Sequence, residues 1–249
     1  MTRILVLGGT TEASALAKAL ADRGADAVFS YAGRTRSPVA QPLPTRIGGF
    51  GGVDGLVAFL KRERISKVVD ATHPFAAQMS TNAVSACAKA GVDLCGFERA
   101  PWKAGIGDRW TDVADISGAV AALPKAASRV FLAIGKQNLS AFSVAPQHRY
   151  LLRLVDAPTS DLPLPNREVV VDRGPFTMSS DKALLSRHKT QIIVSKNAGG
   201  AGARAKLDVA RELEIEVIMI DRPKVPSRMI LGDLDQVLHW LGHSADLGV

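Results

Sequence analysis

The chain has 249 residues, of which 47% are hydrophobic and 22% charged, and its formal net charge is +7. This length allows one large or two modest domains with a sizeable core. Its basic residues are scattered through loops, which argues against a nucleic-acid-binding protein and suits a small polyanionic partner. No apolar run is long enough to cross a membrane, and a strand pattern starts within two residues of Met1. We therefore expect no membrane span, no signal peptide and a cytoplasmic location.

The first predicted elements are a strand, a glycine turn and a helix. An apolar run over residues 4–7 ends in two glycines, and apolar residues at i, i+3, i+4 and i+7 follow from Ala13. This arrangement places a dinucleotide pyrophosphate at a helix N-terminus, although an inserted glycine takes the fingerprint off its usual spacing. We predict a cofactor-binding turn, with a compact β–α turn as the alternative. The residues assigned to it are Gly8, Gly9, Thr10, Thr11 and Glu12.

Residues 26–35 are predicted to form a second strand and its terminal loop, and this loop suggests which cofactor is bound. It has no acid but contains Arg34 and Thr35. In dinucleotide folds an acid at this point bonds the ribose 2′-hydroxyl of NAD, whereas a cation accommodates the 2′-phosphate of NADP. We therefore expect NADPH, with a solvated basic loop as the alternative. A glycine-rich stretch over 45–52 then predicts either a loop open to the ligand, including Gly49, or a flexible connector.

A third group of candidate residues follows the predicted strand over 67–71. Asp70, Ala71, Thr72 and His73 lie at its carboxyl end, where open α/β sheets bind ligands. Pro74 suits the first position of a helix, which would make His73 the N-cap. We assign the four residues to the cofactor site. The alternatives are a capping role for His73 and a turn-stabilising role for Asp70.

The second half continues the alternation of strands and helices, so a second parallel sheet is expected. We predict two domains, 1–104 for the cofactor and 105–249 for a substrate, and leave open which of them the terminal helix, 233–242, packs on. Loops that follow strands carry Lys136, Arg173 and Lys196. If these loops share one sheet edge, the three cations line a cleft that attracts anions; otherwise they are ordinary surface cations. The two cysteines, Cys87 and Cys95, lack metal-ligand spacing, so no metal is expected.

The motifs taken together are more specific than any one of them. Leu-Gly-Gly-Thr-Thr-Glu-Ala at 7–13, Asp-Ala-Thr-His-Pro-Phe-Ala at 70–76, Arg-Ala-Pro-Trp at 99–102, Gly-Pro-Phe at 174–176, Lys-Asn-Ala-Gly-Gly at 196–200 and Ile-Asp-Arg-Pro at 220–223 occur in this order. The set resembles the precorrin-6A reductase family of cobalamin biosynthesis over nearly the whole chain. The chain departs from many relatives at 197–198, where it has Asn-Ala in place of Asp-Ser.

The resemblance implies two Rossmann-like, mostly parallel α/β domains with a cleft between them, and an NADP-dependent oxidoreductase. The reaction would be the NADPH-dependent reduction of one ring carbon–carbon double bond of an anionic tetrapyrrole, precorrin-6A, to precorrin-6B. The proton donor is left open among His73, Lys136, Lys196 and water. The expected substrate-binding residues are Lys136, Arg153, Arg173, Lys196, Asn197 and Arg204.

Two other functions remain open at this stage. A reductase of the cobalt-containing substrate would have a similar sequence, and a non-enzymatic NADP sensor would explain the first half alone. A short-chain dehydrogenase is excluded, because neither Tyr31 nor Tyr150 is followed by a lysine four residues later. We expect a monomer.

Overall fold

The computed structural model describes residues 2–33, 38–174 and 176–243. The chain divides into two compact units, one formed by Met1–Ala100 with Lys224–Val249 and the other by Pro101–Pro223. The first unit thus takes up the last segment of the chain as well as the first. The predicted boundary at 104/105 lies four residues beyond the observed one. The segment from 224 onward was predicted in the second domain, with the packing of the terminal helix left open, and it is part of the first unit.

The first unit holds a six-stranded sheet in the order β12-β5-β4-β1-β2-β3. Strands and helices are numbered along the whole chain. The elements of this unit are β1 (Ile4–Leu7), α1 (Thr11–Asp22), β2 (Ala27–Tyr31), β3 (Thr45–Ile47), α2 (Gly52–Arg62), β4 (Lys67–Asp70), α3 (Ala77–Ala90), β5 (Asp93–Phe97), β12 (Met229–Leu231) and α7 (Leu234–His243).

The second unit holds another six-stranded sheet, in the order β6-β11-β10-β7-β8-β9. Its elements are β6 (Trp110–Val113), α4 (Ile116–Ala121), β7 (Arg129–Ala133), a 3-10 helix (Lys136–Val144), β8 (Arg149–Leu154), β9 (Arg167–Val171), α5 (Met178–His188), β10 (Ile192–Lys196), α6 (Ala205–Glu212) and β11 (Glu216–Ile220). All the described strand pairings of both sheets are parallel, which confirms the predicted fold class.

Strand β1 shows why its sheet is covered on both faces. Ile4 and Val6 pack into one apolar cluster with α1 and α7, whereas Leu5 and Leu7 pack into another with α2 and α3. Successive side chains of a strand point to opposite faces, so a continuous apolar run suits a strand that is buried twice. In each sheet the chain leaves a central strand in both directions, which creates a switch point between β1 and β4 and between β7 and β10. Ligands of open α/β sheets bind outside the strand ends at such points.

The structure corrects one local prediction and adds two strands. Helix α3 begins at Ala77 with Ala76 as its N-cap, so the prediction that His73 caps this helix is wrong. His73 and Pro74 instead lie in a turn before the helix, in which the Ala76 N–H donates to the His73 carbonyl at 2.7 Å. The edge strands β6 and β12 were not predicted, because each is short and partly exposed and gives no clear apolar pattern. No helix within the described residues is long and apolar enough to span a membrane.

Candidate functional site

Thr10 joins the two turns that flank the first switch point. It is the N-cap of α1, and its hydroxyl oxygen accepts the Ala13 N–H at 3.1 Å. The same hydroxyl donates to the carbonyl of Ala71, at the end of β4, at 2.9 Å. A threonine is a preferred cap because its oxygen satisfies an N–H that the helix leaves unpaired. Thr10 therefore both starts the helix and fixes the β1 turn to the β4 turn.

The paired glycines have separate reasons to be glycine. A Cβ on Gly8 would lie 2.0 Å from the ring of Phe29, so the close packing of this ring leaves no room for a side chain at position 8. Gly9 has φ +136, a conformation that side chains disfavour, and a Cβ built there would meet no atom within 4 Å. The turn therefore leaves open space beside the N-terminus of α1, where first-turn N–H groups have no intrahelical partner. Together these features fit the pyrophosphate of a dinucleotide.

Glu12 is held by a residue that the sequence analysis did not assign. Its carboxylate forms an ion pair and hydrogen bond with the guanidinium of Arg99, which follows β5, and both side chains are largely buried. Arg99 thus offsets a negative charge in the first turn of α1, close to where the phosphates would lie. The signal was present in the sequence, because Arg99 begins one of the family motifs, but its partner is 87 residues away.

The turn after β4 is organised by the buried Asp70. Its side chain is 1% exposed, and its Oδ1 accepts the N–H of Thr72 at 3.2 Å and the hydroxyl of Thr72 at 2.7 Å. Its Oδ2 lies 3.2 Å from Nη2 of Arg228, which also pairs with Glu98. The carboxylate is therefore directed into the protein. Asp70 can contribute to a cofactor site only indirectly, by holding the turn in shape.

His73 has a defined orientation in this turn. Its Nδ1 accepts the N–H of Phe75 at 3.2 Å, and its ring lies 5.8 Å from the Phe75 ring. An Nδ1 that accepts a hydrogen bond places the proton of a neutral imidazole on Nε2. The geometry therefore makes Nε2 the donor atom of a neutral His73.

The cofactor residues assigned near the end of β2 are only partly covered by the structure. Arg34 and Thr35 lie outside the described residues. The carbonyl of Gly49 accepts a hydrogen bond from Arg46 at 3.0 Å, and the Arg46 guanidinium stacks 3.9 Å from the Phe50 ring centroid. Burial, and then the nearby Arg62, lower the pKa of Arg46. The glycine-rich stretch is thus anchored by an arginine at its start.

The end of β10 meets the 3-10 helix that follows β7 at the switch point of the second sheet. Lys196, at the end of β10, donates from Nζ to Oδ1 of Asn138, in this 3-10 helix, at 2.8 Å. Lys136 is exposed at the start of the same 3-10 helix. Lys136 and Lys196 therefore lie at one edge of the sheet. Asn138 was not assigned to the site, because a single asparagine after a strand carries no motif.

Asn197 supports the loop that follows β10. Its Oδ1 accepts the N–H of Trp102 at 2.8 Å, and its Nδ2 donates to the Trp102 carbonyl at 3.0 Å. Arg222 donates to the carbonyls of Asn197 and Ala198 at 3.0 and 3.1 Å. The side chain assigned to substrate binding is therefore buried and occupied by the backbone of Trp102. Asn197 thus connects the Lys-Asn-Ala-Gly-Gly loop to Trp102 of the Arg-Ala-Pro-Trp motif and to Arg222 of the Ile-Asp-Arg-Pro motif.

The three remaining predicted substrate residues do not form one group. Arg153 is buried, pairs with the buried Asp181 and stacks 3.5 Å from the centroid of Phe176. Arg204 pairs with Asp208 one helical turn away at 3.2 Å. Arg173 is exposed after β9, which is three strands from β10 and hence roughly 14 Å along the sheet edge.

Metal and thiol chemistry find no support among the described residues. They contain no group of three or more His, Cys, Asp or Glu side chains that could hold a metal ion. Cys87 and Cys95 are both buried, and burial raises the pKa of each thiol to about 12. A thiol with such a pKa is protonated at neutral pH and therefore a poor nucleophile or ligand.

The parallel sheets and their switch points define a Rossmann-like α/β protein. A family model described as precorrin-6x reductase CbiJ/CobK matches residues 3–242. The chain belongs to this family, as the motifs indicated, and it is an oxidoreductase. Membership of a reductase family implies a nicotinamide cofactor.

Individual relatives agree with the family model. The chain is 67% identical to a precorrin-6A reductase of Rhodobacter capsulatus over 97% of its length and 96% of the relative's. It is 29% identical to a cobalt-precorrin-6A reductase of Priestia megaterium over 96% of its length and 97% of the relative's. A solved structure titled CobK precorrin-6A reductase has a TM-score of 0.95 and 66% identity, with 100% of this chain and 98% of that one covered.

Proposed function

We propose that this protein reduces precorrin-6A to precorrin-6B with NADPH, adding hydrogen across one ring carbon–carbon double bond in cobalamin biosynthesis. The observation that carries the proposal is the 67% identity, over almost the full length of both chains, to a precorrin-6A reductase. The geometry of the first switch point supports it, because a glycine turn with open space and a helix N-terminus lie at the strand ends where open α/β sheets bind dinucleotides.

The cofactor would lie along the first unit. The turn from Gly8 to Glu12 would receive the pyrophosphate, and Thr10 would keep this turn in register with the turn from Ala71 to His73. Arg34 and Thr35 would contact the 2′-phosphate, as the composition of their loop predicts. When bound, the nicotinamide supplies the hydride. The protein residues hold it and the substrate in one orientation, and such positioning accounts for a large share of the rate acceleration.

The substrate would be bound through its carboxylates. Lys136 and Lys196 share one sheet edge in the second unit, Arg204 lies at the start of α6, and Arg173 follows β9 farther along the same edge. A lysine ammonium group is a compact cation that suits carboxylates. Arg153 and Asn197 support these loops from inside, and we do not expect them to contact the substrate. The reduction also consumes a proton, for which Nε2 of His73 and Nζ of Lys136 or Lys196 are the candidate donors in addition to water.

NADPH is expected to be preferred over NADH because of Arg34. Arg34→Ala should raise KM for NADPH by about tenfold or more, the amount expected when a charge-assisted hydrogen bond to a phosphate is lost. KM for NADH should change little. Initial rates at fixed precorrin-6A, followed through the absorbance of the reduced cofactor, measure both constants. Equal changes for the two cofactors would contradict the assignment of Arg34.

Metal-free precorrin-6A is expected to be the preferred substrate, because the relative that is named for it is far more similar than the one named for the cobalt complex. The purified protein should oxidise NADPH stoichiometrically with precorrin-6A, and kcat/KM should be lower with cobalt-precorrin-6A. Faster turnover of the cobalt complex would reverse the choice. Binding of NADPH without oxidation in the presence of either compound would instead favour a sensor.

A further inference from the structure

Arg228 is a buried cation that reaches the first switch point from the far end of the chain. It lies directly before β12, in the segment that returns to the first unit after the whole second unit, and its side chain is 7% exposed. Nη2 pairs with Glu98, which directly follows β5, and lies 3.2 Å from Oδ2 of Asp70 at the end of β4. One guanidinium thus faces two carboxylates from two neighbouring strands.

The sequence of β5 makes room for this side chain. A Cβ on Gly96 would lie 2.8 Å from Nε of Arg228 and 2.8 Å from Cδ1 of Ile230. Such a distance is too short for ordinary contact, so any other residue at 96 would displace the guanidinium or the edge strand. Gly96 is not at a positive φ. Its lack of a side chain therefore serves the approach of Arg228 and β12.

Asp70 transmits the position of Arg228 to the turn beside the cofactor. Oδ2 of Asp70 faces Arg228, while Oδ1 holds the backbone N–H and the hydroxyl of Thr72. The next residue, Ala71, accepts the hydrogen bond from Thr10 at the N-terminus of α1. A buried carboxylate that loses its cation either takes up a proton or moves toward water. Either response changes what Asp70 can do for Thr72.

We propose that Arg228 is a positioning residue for the nicotinamide cofactor, acting through Asp70 on the turn that contains Thr72 and His73. The inference rests on the proposed cofactor site in the first unit. It means that the C-terminal segment completes this site. The strands β1 to β5 precede the second unit in the chain, but the turn after β4 takes its final shape only when Arg228, which follows the second unit, has packed against β4 and β5.

Lys67 provides a matched control on the same strand. It is buried at the amino end of β4, where Nζ donates to the carbonyl of Trp240 and lies 4.2 Å from the Trp240 ring centroid. Removing either buried cation should destabilise the first unit. Only Arg228, of these two, is connected to the carboxyl end of β4, so only its loss should change the cofactor site.

The test compares Arg228→Met, Arg228→Lys, Asp70→Asn/Arg228→Met and Lys67→Met in the full-length protein. NADPH titration by fluorescence gives Kd, steady-state rates give KM for each substrate, and thermal melts show which variants are folded.

Arg228→Met should raise Kd and KM for NADPH by roughly 10- to 100-fold, the cost of a misplaced binding group, with KM for precorrin-6A unchanged. The double variant should recover part of this loss, because the amide introduced by Asp70→Asn can still accept from Thr72 without carrying a charge. Lys67→Met should lower the melting temperature and leave NADPH binding unchanged.

Several outcomes would overturn the proposal. NADPH binding within about twofold of wild type in folded Arg228→Met does so, as does an equal loss of NADPH affinity in Lys67→Met, which would make the effect one of general stability. If Arg228→Met does not fold, Arg228→Lys decides, because a lysine side chain ends one bond short of Nη2, the nitrogen that meets both carboxylates: unchanged NADPH binding contradicts the proposal and a several-fold loss supports it. A wild-type protein that binds no NADPH would instead refute the cofactor assignment itself.

Discussion

At the scale of single residues, two adjacent glycines show how different physical demands produce the same amino acid. Gly8 faces inward and is limited by the ring of Phe29, whereas Gly9 faces open space and is limited by its backbone conformation. The sequence pattern predicted one turn that contains both glycines and did not distinguish their roles. The structure separates them, since one serves packing within the protein and the other leaves space for a ligand.

This difference is testable with one compensating substitution. Gly8→Ala should reduce the free energy of unfolding by about 1–3 kcal/mol through overpacking, and adding Phe29→Leu should restore part of it by making room for the new methyl group. Gly9→Ala should cost about 1–3 kcal/mol through backbone strain and should also weaken NADPH binding. Urea denaturation and NADPH titration measure the two effects. Recovery of Gly9→Ala by Phe29→Leu would contradict the distinction.

At the scale of secondary structure, strand β4 connects most of the features that define the first unit. Its amino end holds helix α7 through Lys67, and its carboxyl end holds the turn beside the switch point through Asp70. Helix α7 lies where the terminal helix was predicted, and its start is capped: Asp233 accepts the N–H of Gln236 at 2.8 Å, and the Gln236 side chain accepts the N–H of Gly232 at 3.1 Å. Capping was readable because its partners are three or four residues apart. The unit to which α7 belongs was not readable, because Lys67 and Trp240 are 173 residues apart.

In the second unit, the loop after β10 is likewise held by residues that are distant in the sequence. A run of Lys, Asn and glycines after a strand predicts a ligand-binding loop, and Asn197 therefore became a candidate contact. Its amide is instead satisfied on both sides by the backbone of Trp102, and Arg222 fixes the loop from the end of β11. A buried amide must find partners for its donor and its acceptor, and here these partners come from two distant motifs.

At the scale of the whole molecule, each sheet has six parallel strands, and one edge strand of each sheet is placed differently in the chain. In the first sheet this edge strand is β12, which comes last in the chain, after the whole second unit. In the second sheet it is β6, which comes before the other five strands. Each unit has its own hydrophobic core, with buried polar residues at defined points. Stability therefore depends on buried ionisable groups as well as on apolar packing.

Two buried histidines predict how stability changes with pH. Burial lowers the pKa of His148 and of His188, and the neighbouring Arg129 adds to the effect at His188 although Glu168 opposes it. His188 Nε2 has no hydrogen-bond partner among the described residues. Both imidazoles are therefore favoured as neutral groups in the folded protein. In the unfolded chain they take up protons below a pH of about 6.5, so stability should be complete above that pH and fall below it.

The expected loss approaches about 1.4 kcal/mol per pH unit for each histidine that stays neutral in the folded state. Urea denaturation at pH values of about 7.5, 6.5 and 5.5, which bracket the ordinary pKa of histidine, measures it for wild type and for His188→Gln, whose dependence on pH should be shallower. His239→Gln, on the exposed side of α7, removes an imidazole outside the core and serves as the comparison variant. A slope that His188→Gln leaves unchanged would show that another group is responsible.

The sequence by itself determined the features that depend on near neighbours. The apolar runs of the central strands, the cap of the terminal helix, the two glycines and the order of the motifs were all readable, because periodicity, capping and turn conformation involve residues a few positions apart. These features were sufficient for the fold class and for membership of the reductase family. They also placed the polar residues at the carboxyl ends of the strands, where open sheets bind ligands.

The tertiary structure alone decided what each polar side chain does. Asp70 forms an ion pair with Arg228, and Glu12 forms one with Arg99. Asn197 is hydrogen-bonded to Trp102, and Lys196 to Asn138. Even the nearest of these partners, Lys196 and Asn138, are separated by 58 residues in the chain. A buried charge or amide is stable only beside its complement, and which complement lies beside it is fixed by the packing of strands rather than by any local pattern.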